Sequence, residues 1–132
     1  MIHQRYHDLV LLLLRLTFGL GMAAGHGWPK LMKLMSGGSI KFYDFAGLGP
    51  EISLGLAVFS ELLCAALLVI GLYTRLAAVP LLFTMLVAIL GAHWGDPFGD
   101  FEKALLYAVP YLCLMLAGPG WYSVDAQIRK SV

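Results

Sequence analysis

Residues 52–72 read ISLGLAVFSELLCAALLVIGL, twenty-one positions in which the single charge is Glu61. A helix needs about 20 apolar residues to cross the hydrocarbon core. Soluble core helices are polar on one face, and this stretch is apolar all round. Strands of a membrane barrel would alternate apolar and polar residues, and these positions do not. The stretch therefore reads as a membrane span. Three further runs share its character. Leu9–Gly25 holds one charge, Arg15, while Leu76–Gly95 and Ala104–Trp121 hold no Asp, Glu, Lys or Arg. In lipid only helices and closed barrels satisfy their own backbone. The expected fold is an all-α membrane four-helix bundle, one domain over residues 1–132, with spans at about 9–27, 52–72, 76–95 and 103–120.

Composition agrees. Of 132 residues, 60% are hydrophobic and 13% charged, against about 45–50% and about 25% in soluble domains. A small soluble domain has too little interior to hide that much apolar surface. Net charge is +1, which argues against nucleic-acid partners, since these need a basic stripe. Two cysteines are too few for a disulfide scaffold or a four-thiolate metal site. The first run is longer than a signal-peptide core, carries Arg15 and lacks an A-x-A exit, so it is expected to be a retained span.

The connections differ. Residues 27–51 form a long first loop, in which Pro29–Met35 carries Lys30 and Lys33 among apolar residues and is expected as a short amphipathic interfacial helix. Tyr73-Thr74-Arg75 is a tight hairpin. Four spans place both termini on the side of that hairpin, the near side. Basic residues are balanced across the two sides, and Arg15 tips the count toward cytoplasmic termini.

Charges inside spans are costly and usually pair or face a cavity. Counting about 1.5 Å per residue, Arg15 lies about 10 Å and Glu61 about 16 Å from the near face. The expectation is an intramembrane Arg15–Glu61 pair or shared network, serving either as a packing clamp or as part of a proton, substrate or quinone site. Arg15, Gly19, Met22 and His26 fall on one helix stripe, and Ser53, Ala57, Glu61, Cys64 and Ala65 on another. Gly21 and Gly25 form a GxxxG that permits close helix approach. His26 and His93 share a depth at the far ends of spans one and three, near Lys30, Glu102 and Tyr107. They suit a polar mouth, and the absence of tight ligand spacing argues against a metal site. Cys64 and Cys113 have similar depths and are candidates to meet between spans two and four. Trp28, Trp94 and Trp121 stand at span ends, as an aromatic belt does.

Several fragments in order carry a resemblance. They are Leu14-Arg15-Leu16 with Gly19, His26-Gly27 followed by Lys30, Glu61, Gly71-Leu72 with Thr74-Arg75-Leu76-Ala77, and Ala88-Ile89 leading to His93. Glu102 with Ala104-Leu105 and Tyr107 follows, then Gly118-Pro119-Gly120 with Ser123 and Asp125. In this order and spacing the chain resembles the DoxX family of small four-span membrane proteins. The resemblance implies a multi-pass protein of the bacterial inner membrane, linked to quinol oxidase or to thiosulfate oxidation with quinone as acceptor, or to oxidative and thiol stress. It adds weight to Arg15, His26, Lys30, Glu61, His93 and Glu102 as substrate or quinone contacts, beside which Tyr107 stands as a candidate from its place near them, and it assigns none a catalytic role. Two functions stay open. One is a redox-associated subunit near the quinone pool, alone or complexed with a redox enzyme. The other is a non-catalytic membrane scaffold or small transporter in which Arg15 and Glu61 act as a clamp. A homo-oligomer is compatible with both.

Overall fold

The computed structural model describes residues 2–131, which form helices and connecting loops with no strand. Helix α1 runs Ile2–Met35, α2 Pro50–Ile70 and α3 Thr74–Ala92; these three are long and apolar enough to cross a membrane. Helix α4, Phe98–Ala117, has comparable length but opens with Asp100, Glu102 and Lys103. A short α5, Val124–Lys130, closes the chain. Helix α1 extends beyond its expected span at both ends, where polar residues continue it into the interface, whereas α2, α3 and α4 each begin two to five residues before their expected spans and end two or three residues short of them. The amphipathic segment of the first loop is helical as expected. It is not a separate element, since it continues α1 through a π-helical turn at Ala23–Gly27. Pro29, which has no N–H to donate, follows that turn, and π turns commonly absorb such a break in the ladder.

Burial follows the small and polar stripes. On α1, Leu11, Arg15, Gly19 and Met22 face inward, and on α2 so do Ser53, Ala57, Glu61, Cys64 and Ala65. The large side chains between them, including Leu13, Leu20, Leu56, Phe59 and Leu63, point outward. That is the inversion expected where lipid, not water, is the solvent: small residues let backbones approach and bulky ones meet acyl chains. Helix α4 packs most extensively on α3 and also touches α1.

Two glycines set the register of α1 on α2. A Cβ at Gly19 would meet Val69 Cγ2 at 2.5 Å, and one at Gly27 would meet the Glu61 carbonyl oxygen at 2.6 Å. The helices therefore cross in backbone contact at both places. Of the GxxxG pair, Gly21 lies against Tyr107, whereas Gly25 has no neighbour within 4 Å; the close approach falls on Gly19 and Gly27 instead. Helix α2 ends at Gly71, whose φ of 73° lets Leu72 N bond back to Leu67 O at 3.0 Å, closing the helix with its last carbonyls satisfied.

Candidate functional site

The Arg15–Glu61 pair does not form. With Gly19 against Val69 and Gly27 against Glu61, the antiparallel register places Arg15 level with residue 73, about 18 Å along the axis from Glu61. Depth counted separately from each span end missed this, because α1 begins well before Asp8 and the helices slide past one another. Each ion finds another partner.

Glu61 is 2% exposed and its two oxygens accept from Lys30 Nζ at 2.6 and 2.5 Å. Lys30 sits three residues beyond Gly27, so one helical turn carries its side chain back over the carboxylate that the glycine contact brings near. Phe42 lies beside the ammonium, 5.7 Å from nitrogen to ring centroid. The pair forms one wall of a cavity of about 490 Å³ that reaches from mid-bundle toward the far side. Helices α2 and α3 supply its flanks, including Phe59, Pro80, Phe83 and the neighbouring hydroxyls of Ser60 and Thr84, which stand 2.9 Å apart. His93 lines its outer end, with Nδ1 3.0 Å from Asp96 Oδ2.

The first loop folds back over this cavity. Phe45 N donates to Ser53 Oγ at 2.9 Å, Gly49 N to Asp44 Oδ1 at 2.8 Å, and Lys33 Nζ to Lys41 O at 2.5 Å. These bonds lay Phe42, Tyr43 and Phe45 along the cavity, with Phe45 edge-on to Phe83 at 5.6 Å. Sequence reasoning overlooked the three aromatics. The signal was present as a cluster of aromatics, Phe42-Tyr43 with Phe45, within one short loop.

Of the sequence candidates, Lys30, Glu61 and His93 share the cavity. His26 and Tyr107 do not line it; they meet edge to face at 5.6 Å, in a cluster that also holds Phe18 and Tyr111. Tyr111, fully buried, donates to Phe18 O at 3.0 Å, which ties α4 to α1. Glu102 is exposed at the start of α4. Cys64 is buried and Cys113 exposed, both as free thiols, so the expected meeting does not occur.

Arg15 belongs to a second polar node at the near side. It is 1% exposed and donates to Val69 O at 3.0 Å and to Tyr122 O. Both acceptors are carbonyls, one from the last turn of α2, where the helix dipole favours a cation. Beside it, Asp125 accepts from Tyr73 N at 2.8 Å and Thr74 N at 3.0 Å, and its own amide donates to Gly71 O at 2.9 Å. Tyr73 has a φ of 48°, an uncommon conformation for a bulky residue that these bonds hold in place. Ser123 caps α5 through Ala126 N at 3.1 Å. The node binds the C-terminal tail to the α2–α3 turn.

The chain is similar to the inner membrane protein YphA of Escherichia coli (strain K12), with 33% identity over 111 residues covering 75% of this chain and 76% of the relative. No solved structure matches it. The DoxX family model matches residues 10–94, the stretch that holds Arg15, Lys30, Glu61 and His93. With apolar helices of spanning length and a match over most of its residues, this membrane protein belongs to the DoxX family.

Proposed function

We propose that the cavity binds a lipophilic ring compound bearing carbonyl or hydroxyl oxygens, the quinone and quinol class, and that the protein serves as a redox-associated subunit beside the quinone pool. The support lies in the cavity wall: aromatic and aliphatic side chains surround one ion pair whose carboxylate is buried. A volume of about 490 Å³ falls in the usual range of ligand pockets, about 300–1,000 Å³. Lys30 Nζ donates to a quinone carbonyl, and a Glu61 oxygen accepts from a quinol hydroxyl, while Phe42, Phe45 and Phe83 pack on the ring. The name of the E. coli relative assigns that protein to the inner membrane, and we place this chain there too, with its termini cytoplasmic.

Organic extraction of the purified protein followed by mass spectrometry tests this. A co-purifying quinone is expected, as is a short-chain quinone titration that Glu61→Gln weakens about tenfold or more, the scale of one hydrogen bond to a charged group. The proposal falls if no quinone is extracted and added quinone leaves the melting temperature unchanged. A second reading, a scaffold or transporter clamped by an ion pair, draws on one observation. Both Glu61 oxygens are already engaged by Lys30, so the pair is self-sufficient without a ligand.

A further inference from the structure

We propose that the near side of the molecule holds the phosphate of an anionic phospholipid headgroup. A second cavity, about 400 Å³, opens there between the start of α1, the start of α3 and the C-terminal tail. Arg75, Arg129 and Lys130 line it, cations brought together from two distant parts of the chain. None of the three lies within 4.0 Å of a carboxylate among the described residues. The one carboxylate in the lining, Asp8, is turned to Trp121 N at 3.0 Å, and His7 adds an imidazole ring. Net positive charge therefore faces the cavity.

The cations are also positioned. Arg75 lies against the backbone of Gly118, where a Cβ would meet its Nε at 3.1 Å, and one terminal nitrogen reaches Leu116 O at 3.3 Å. Lys130 Nζ sits 3.4 Å above the Trp121 ring. A guanidinium held this way keeps further N–H donors for an oxyanion. The dipole of α5 accounts for Arg129 and Lys130 at its last turn, but not for Arg75, which comes from the other side of the cavity.

The surroundings choose a lipid over a free anion. Trp121, in the lining, is largely exposed at the end of an apolar helix, as an interfacial anchor is. Leu76 and Leu116, next to Arg75 in the chain or bonded to it, are 69% and 67% exposed. They offer apolar surface for acyl chains directly beside the charged cavity. Basic pockets between spans bind anionic headgroups in this manner.

The protein in nanodiscs of phosphatidylcholine with a minor fraction of phosphatidylglycerol is released into native mass spectrometry. Preferential retention of one phosphatidylglycerol is expected. Arg129→Gln with Lys130→Gln changes only exposed side chains of a terminal helix, and should reduce that preference about thirtyfold. Adding Arg75→Gln should abolish it. Equal retention of the two lipids by the unaltered protein overturns the proposal, as does a preference that survives all three substitutions. Stabilisation by inorganic phosphate without any lipid preference also overturns it, assigning the cations to a free anion. Quinone titration of the same variants should be unchanged, which separates this site from the cavity at Lys30 and Glu61.

Discussion

The two ends of the bundle each bury an ion, and they satisfy it in opposite ways. At the far side, Glu61 meets a cation of opposite charge at the wall of a cavity. At the near side, Arg15 donates only to carbonyl oxygens, from the end of α2 and from the tail, with the Asp125 carboxylate nearby but outside ion-pair distance. An ion pair at a cavity wall is exchangeable, since a ligand oxygen can replace part of either partner's contact. A guanidinium buried among backbone carbonyls is not, because its partners belong to the fold itself. The near node is a latch and the far pair a candidate site.

The sharpest break in this contrast is at Arg15. Arg15→Met should lower stability by about 3 kcal/mol or more, as two charge-assisted bonds from a buried guanidinium to backbone carbonyls vanish. Amide exchange across residues 121–130 should rise sharply, while ligand binding at the far cavity changes little at temperatures where the fold persists. Thermal melts and hydrogen exchange check both. A variant with normal melting and a protected tail would remove the latch.

Next comes Gly27→Ala. Its Cβ would stand 2.6 Å from the Glu61 carbonyl oxygen, and backbone cannot yield as a flexible side chain does. Forcing the helices apart should cost about 1–3 kcal/mol and draw Lys30 away from Glu61. Melting temperature and quinone affinity should fall together. By contrast Gly25→Ala, at a position with no neighbour within 4 Å, should be neutral or slightly stabilising.

The far pair itself separates site from clamp. Glu61→Gln leaves the ammonium of Lys30 without its counter-ion, yet Lys30 is 26% exposed, so about 1–2 kcal/mol should be lost. Replacing both, Lys30→Met with Glu61→Leu, should restore much of that stability, as apolar replacements of buried pairs often do. A clamp predicts that function returns with the melting temperature. A ligand site predicts stability without quinone binding.

The smallest effect is expected at Asp125→Asn, which keeps the shape and loses the charge beside Arg15 and the capped amides of Tyr73 and Thr74. About 1 kcal/mol is the usual scale of such a cap, measured by thermal melting. It should leave the far cavity untouched.

Much of the site was legible in part. Lys30 and His93 stood out as polar groups at the far ends of apolar runs and Glu61 as the one charge inside its span, and the structure brings these three to one cavity. Phe42, Tyr43 and Phe45 did not, because a loop's aromatic residues have no periodicity to show which way they face. His26 and Tyr107 were grouped correctly with each other but not with the cavity, since a shared depth leaves the angle around the bundle open. The cysteines failed for the same reason: similar depth, different faces.

Apolar runs of spanning length commit this chain to helices before any partner is known, because a backbone in lipid must bond within its own segment. The stripes of small and polar residues likewise choose the inward faces, since they repeat at the helical period. Which buried ion meets which partner is a different matter. It depends on how far one helix slides along another, and that slide is decided where Gly19 and Gly27 allow backbones to touch. Such contact is a property of two surfaces at once, so neither helix's residues state it alone.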